Sequence, residues 1–220
     1  MPFLQYRVNG FLITLEGIDG SGKSTAARLI AKRLQEAVPQ RRVILTAEPT
    51  GGQAGKILKA QLSSSGGSEP SVATRMEELF LFMADHADQL EKLVNPSLQE
   101  GAIIVSDRYA DSTAAYQGVT LRGVVPDPVQ WIREIYSPWN RRPDKTLLFA
   151  LDPALALQRM QSRPEREKFE RQEFLCEVDQ NFRRLAALEP GRFAIIDASQ
   201  DAEDVADQSL KPILELLEQA

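Results

Sequence analysis

Five short stretches of the chain are apolar at nearly every position: FLITLE at 11–16, RVILTA at 42–47, AIIVSD at 102–107, TLLFALD at 146–152 and FAIIDA at 193–198. Between them the apolar positions step by three or four, as in Ala27, Ile30, Leu34 and Val38, then Phe174, Val178, Phe182 and Leu185, and later Ala206, Leu210, Ile213 and Leu217. Steps of that size give a helix one apolar stripe, whereas a short run of branched apolar residues reads as a strand covered on both faces. Their alternation predicts an α/β chain with a five-stranded parallel sheet and helices on both faces. Such sheets bind ligands at the carboxyl ends of their strands. There the chain carries GIDGSGKST, EPTGG, DRYADS and DAS. The segment SSSGGSEP at 63–70 reads as a flexible surface connector between two helices.

With 220 residues and 43% hydrophobic content, the chain is large enough for one good-sized core, and the pattern runs without a break or repeat from end to end. One domain is expected over 1–220. A net charge of −5 argues against a nucleic-acid backbone as partner, because that contact calls for an excess of basic residues. The opening MPFLQYRVNG lacks a signal-peptide pattern, and no apolar run approaches the roughly 20 residues of a membrane span. A cytoplasmic protein is expected, with no membrane partner. The single cysteine, Cys176, lies among apolar helical positions and reads as packing.

Gly17, four residues, then Gly22, Lys23 and Ser24 complete the G-x-x-x-x-G-K-[ST] phosphate loop, set between a predicted strand and a predicted helix. The stretch Gly17, Ile18, Asp19, Gly20, Ser21, Gly22, Lys23, Ser24 and Thr25 would then cradle the phosphates of a nucleotide with backbone amides and the positive end of the helix dipole. Lys23 supplies a point charge for the terminal phosphates, and Ser24 an oxygen for Mg²⁺. A phosphate loop alone leaves kinase, ATPase and GTPase open. No Asn-Lys-x-Asp occurs in the chain, which weakens the GTPase. At the end of the third strand Asp107 can hold Mg²⁺, commonly through its water, while the adjacent Arg108 can grip a second phosphate group. Taken singly, they read as a helix cap and a surface ion pair.

From GIDGSGKST through the EP dipeptide at 48–49, FMAD at 82–85, DRYADSTAAYQG at 107–118, RPD at 142–144, FALD at 149–152, EKFE at 167–170 and IDAS at 196–199, the chain closely resembles the thymidylate kinases of the nucleoside monophosphate kinase group. The resemblance implies the P-loop nucleotide kinase fold with a small mobile lid, and transfer of the ATP γ-phosphoryl group to dTMP, giving dTDP and ADP. It implies a homodimer as well. In this reading Asp19 binds the acceptor sugar 3′-hydroxyl and helps organise the metal site, Arg108 holds the monophosphate, and Phe82 stacks on the base. Ser112, Thr113, Tyr116 and Gln117 line the sugar and base, with Tyr116 placed against a ribose 2′-hydroxyl. Glu170 closes the pocket from the lid, at about 159–171. Ala198 lies near the adenine of ATP. The lid reads RMQSRPEREKFER and is broken by Pro164. Relatives whose loop carries an arginine differ at Gly20, so the catalytic arginine is expected from the lid, Arg163 first and Arg166 second.

The chain departs from the family pattern in three places: Ala47 and His86 stand where arginines are usual, and Lys168 replaces a common lid arginine. His86 can donate one hydrogen bond to the acceptor base but not a bidentate fork. A wider range of pyrimidine monophosphates is therefore a second reading. A nucleotide-binding homologue without transfer is a third, opposed by the intact Lys23, Ser24, Asp107, Arg108 and Arg163. The Glu48–Pro49 bond is expected to be cis, as in some relatives.

Overall fold

The computed structural model of the protein describes residues 10–64, 70–161 and 172–219. Every expected strand is present: β1 (Phe11–Glu16), β2 (Val43–Ala47), β3 (Ile103–Asp107), β4 (Lys145–Ala150) and β5 (Phe193–Asp197). They form one parallel sheet of order β2-β3-β1-β4-β5. The central β1 is covered on both faces, and Leu12, Ile13 and Leu15 have no solvent exposure. That is why the run shows no polar alternation. Burying each such side chain contributes about 1.5–3 kcal/mol. Its polar interruption is satisfied internally, because Thr14 Oγ1 lies 2.9 Å from Thr146 Oγ1 on the neighbouring strand.

The helices are α1 (Lys23–Ala37), α2 (Gln53–Ser64), α3 (Val72–Gln89), α4 (Asn95–Gln99), α5 (Ala110–Thr120), α6 (Pro128–Tyr136), α7 (Pro153–Gln161), α8 (Gln172–Leu188) and α9 (Ala202–Glu218). A π-helical turn, Leu90–Val94, joins α3 to α4. Helix α1 packs on α9, while α5 lies among α3, α6 and α8. The stepped apolar positions face the core, Ile30, Leu34, Val178, Phe182 and Ile213 with no exposure and Val38, Phe174, Leu210 and Leu217 partly buried against it. Ser71 caps α3 by accepting the Thr74 N–H at 3.2 Å. The expected connector thus does separate two helices, although residues 65–69 are outside the described ones. The Glu48–Pro49 bond is cis.

Two features of this packing place the site. Parallel pairing puts Leu15 and Ala47 both opposite Asp107, so β1, β2 and β3 end at one level. Helix α5 then leaves that level buried from Ala110 to Gly118. Gly118 permits a close approach: a Cβ there would meet Val129 Cγ2 at 2.6 Å and Asn181 Nδ2 at 3.1 Å. Asn181 Nδ2 donates to Ala115 O at 2.9 Å, and Phe182 sets its ring 6.2 Å from that of Tyr116. Phe182→Ala is expected to lower stability by about 3–5 kcal/mol, read as a lower urea midpoint at unchanged m.

Candidate active site

The chain turns from β1 into α1 through three glycines with positive φ, Gly17 (140°), Gly20 (81°) and Gly22 (86°). Gly22 is the N-cap of α1 and offers no side-chain cap, which leaves the first amides of the helix facing the loop. At Gly20 a Cβ would lie 2.5 Å from Ala156 O, so besides the strained φ there is no room for a side chain. Lys23 is buried and folds over its own loop, donating to Ile18 O at 2.7 Å and Ser21 Oγ at 3.1 Å. Burial first, then the nearby Arg108 charge, lower its pKa to about 7.

Arg108 stands across from the loop in a left-handed conformation, φ 71°. Its N–H donates to Leu15 O at 3.0 Å, and its carbonyl accepts from Ser106 Oγ at 2.7 Å. One edge of the guanidinium, Nη1, reaches Ser112 Oγ at 3.0 Å and Gly17 O at 3.3 Å. The other, Nη2, pairs with the Asp19 carboxylate and lies 3.4 Å from Tyr116 OH. Tyr116 OH also accepts the Asp19 N–H at 2.9 Å, and its ring lies 5.0 Å below the guanidinium carbon. Asp19, Arg108, Ser112, Thr113, Tyr116 and Phe82 line one cavity of about 70 Å³, with Pro49 and Leu62 completing the wall. Pro49 is held in place from α3. The Asp85 carboxylate of FMAD accepts the Thr50 N–H at 2.6 Å and its hydroxyl at 2.5 Å.

On the far side of the loop a second cavity, about 240 Å³, is lined by Ser21, Gly22, Thr25 and Ala198 together with Arg159, Gln200 and Val205. Arg159 donates to the carbonyls of Ala198 (2.9 Å) and Ser199 (3.1 Å). Between the cavities Ser24 Oγ donates to Asp107 Oδ2 at 2.5 Å. The other oxygen, Oδ1, is buried with no hydrogen-bond partner among the described residues. A free carboxylate oxygen beside a hydroxyl suits a hard cation such as Mg²⁺ that brings its own phosphate and water ligands. No cluster of three or more His, Cys, Asp or Glu among the described residues could cage a metal alone. A cavity of about 440 Å³ lies elsewhere, between α5 and α6, and its walls are ion-paired through Arg192, Asp111 and Glu189. None of the phosphate-loop residues lines it, whereas the two smaller cavities both border that loop.

Sequence reading missed several of these residues. Pro49, Leu62, Arg159 and Gln200 belong to no phosphate motif, and only folding brings them in. Glu16 follows a run of apolar residues, yet its side chain is fully buried and accepts from the Ser112 hydroxyl. Burial, reinforced by Asp111, holds its carboxyl well above the usual range. Gln117, expected at the sugar and base, is fully buried and not on the acceptor-side wall, its Oε1 accepting from the Thr120 hydroxyl. Arg163, Arg166 and Glu170 lie outside the described residues.

A five-stranded parallel sheet with a phosphate loop after its central strand, and an arginine guanidinium facing that loop, has the fold and site of a P-loop nucleotide kinase. The family model described as thymidylate kinase matches residues 15–209. A protein of Methanosarcina mazei described as a probable thymidylate kinase is 45% identical over 215 residues, covering 96% of this chain and 98% of the relative. One of Halobacterium salinarum with the same description is 41% identical, covering 88% and 90%. The crystal structure of thymidylate kinase from Ehrlichia chaffeensis superposes with a TM-score of 0.70 at 27% identity, covering 93% of this chain and 98% of that one. The chain belongs to the thymidylate kinase family.

His86 corrects one expectation. It does not reach the acceptor-side cavity: it has no exposure, and both ring nitrogens are engaged, Nδ1 with Glu48 Oε1 at 2.7 Å and Nε2 with Asn140 Oδ1 at 2.9 Å. Tyr109, Tyr136 and Trp139 pack edge-on around it, with centroids at 4.4, 5.1 and 5.5 Å. The imidazole therefore braces the cis-proline loop from behind. Burial alone would lower its pKa, but the Glu48 carboxylate outweighs that and raises it above 6.5. A raised histidine pKa gives stability that is complete below 6.5 and lost as pH climbs through the folded value. His86→Gln is thus expected to lower Tm, with a wider gap from wild type at about pH 6 than at about pH 9 in thermal melts.

Proposed function

We propose that this chain transfers the γ-phosphoryl group of ATP to dTMP, giving dTDP and ADP, within one kinase domain whose lid spans about 159–171. The observation that carries this reading is that Asp19 and Ser21, two residues apart in one phosphate loop, face different cavities, with Lys23, Ser24, Asp107 and Arg108 gathered between them. That is the arrangement two nucleotides need for in-line transfer.

ATP would lay its phosphates on the loop amides and α1, with its base in the cavity between Ala198 and Arg159. A polyphosphate there supplies the counter-charge that restores the Lys23 ammonium. The acceptor phosphate would take the Nη2 edge of Arg108 from Asp19, freeing that carboxylate for the sugar 3′-hydroxyl. Phe82 offers its face to the base, and Tyr116 fills the space where a 2′-hydroxyl would stand. No general base is needed, because a phosphate monoester is already a nucleophile at neutral pH. Ser24 and Asp107 would hold Mg²⁺, which when bound neutralises charge on the terminal phosphates. Gly20 leaves no room for a loop arginine, which supports Arg163, and after it Arg166, as the cation on the transferring group. A homodimer is part of the proposal. So is a cytoplasmic location, in keeping with the absence, among the described residues, of any helix long and apolar enough to cross a membrane.

With His86 turned away, base selection rests on the hydroxyls of Ser112, Thr113 and Tyr116 and on the shape set by Pro49, Leu62 and Phe82. Steady-state rates with ATP and dTMP, dUMP, dCMP or dGMP test the reading. The highest kcat/KM is expected for dTMP; a different preferred acceptor overturns the assignment, and no acceptor-dependent ADP release overturns transfer itself. Arg108→Ala is expected to raise the acceptor KM by about 30-fold or more with little change in that for ATP, as loss of a charge-assisted contact to one substrate requires.

A further inference from the structure

Glu16 has no part in the chemistry above, although it is a fully buried carboxyl one residue from the phosphate loop. Its Oε2 accepts the Ser112 hydroxyl, and the serine Oγ in turn accepts from Arg108 Nη1 at 3.0 Å. A hydroxyl has one proton. Committing it to Glu16 turns the serine lone pairs toward Arg108 and fixes the direction of that contact. The Nη1 edge is thereby tied to two neutral acceptors, Ser112 Oγ and Gly17 O. The Nη2 edge holds the Asp19 carboxylate, an anion that competes directly with an arriving phosphate.

Among the described residues Glu16 makes no ion pair, and the nearby Arg108 charge is engaged by Asp19. The neighbouring Asp111 is committed to Arg192, whose guanidinium meets its two oxygens at 2.5 and 3.1 Å. Glu16 Oε1 is buried with no hydrogen-bond partner among the described residues. Burial and Asp111 together favour the neutral carboxyl, which anchors the serine without adding negative charge beside the acceptor phosphate.

We infer that Glu16 is a positioning residue for the acceptor monophosphate: acting through Ser112, it fixes one edge of the Arg108 guanidinium and leaves the other free to exchange Asp19 for phosphate. This rests on the reading of Arg108 as the acceptor-phosphate clamp.

Steady-state constants for both substrates, with thermal melts, on Glu16→Met, Glu16→Gln and Arg108→Ala test it. Methionine fits the apolar burial but cannot accept the serine proton; glutamine can. Glu16→Met is expected to raise the acceptor KM about tenfold, the size of one lost oriented hydrogen bond, with the ATP KM unchanged within about twofold. Glu16→Gln should return the acceptor KM to within about threefold of wild type, and in a Ser112→Ala background Glu16→Met should add nothing. A wild-type acceptor KM in Glu16→Met, or an equal rise in both KM values, overturns the inference. If Glu16→Met does not fold, Glu16→Gln decides, since a tenfold rise there overturns it as well. Arg108→Ala separates the two readings. An unchanged acceptor KM in that variant removes the clamp and this inference with it, whereas a raised value beside an unaffected Glu16→Met removes this inference alone.

Discussion

The in-register parallel pairing of β1 with β3 is the constraint on which the site depends. It stops Leu15 opposite Asp107, so the phosphate loop that follows β1 and the Asp107–Arg108 pair that ends β3 emerge side by side. A slip of one residue would turn Asp107 to the opposite face and carry its carboxylate away from Ser24. What holds the register is not polar. It is the burial of Leu12, Ile13 and Leu15 against Ile103, Ile104 and Val105, all without exposure, on a sheet closed on both faces by helices. The apolar core and the phosphate chemistry are thus one design, because the same register satisfies both.

Charge at the strand ends follows from that placement. Lys23, Arg108, Asp19, Glu16, Asp107 and Asp111 meet at the strand ends, buried or half-buried, where an unmatched charge is expensive. Each cation is provisionally matched: Lys23 by loop oxygens, Arg108 by Asp19. In the proposed reading these are the contacts that incoming phosphates would replace. By contrast, the Arg192 pair with Asp111 lies deeper and also engages Thr146 at 2.6 Å, binding α5 to the sheet rather than to a ligand. In the proposed reading, the first pairs would yield to two nucleotides while the Arg192 pair stays fixed.

The two cavities have unequal characters. That behind Gly22 combines small residues, Ser21, Ala26, Ala198 and Ala202, with the longer Arg159 and Gln200, which suits a flat base held by stacking and shape. That in front of Asp19 is built from α3, α5 and the cis-proline loop, each braced by a buried contact of its own: Asp85 to Thr50, His86 to Glu48, Asn181 to Ala115. In the proposed reading, acceptor recognition would therefore depend on distant packing more than donor recognition does.

The strands, the phosphate loop and the pairing of Asp107 with Arg108 were legible in the sequence, because each is a local property: apolar runs, glycine spacing and adjacent residues. So were α1, α8 and α9, which face water on one side and show the helical period. Helix α5 was not, since Ala110 to Gly118 are buried all round and no stripe can appear. His86 was misplaced for a related reason. Its spacing from Phe82 puts both on α3, but which wall each faces is decided by Glu48, Tyr109, Tyr136 and Asn140, which lie far from it along the chain. Glu16 reads in sequence as the end of a strand, and only the fold sets it against Ser112 of α5. Local chemistry therefore determined what the chain binds with, and tertiary packing alone decided which side chains are free to reach a ligand and which are spent holding those side chains in place.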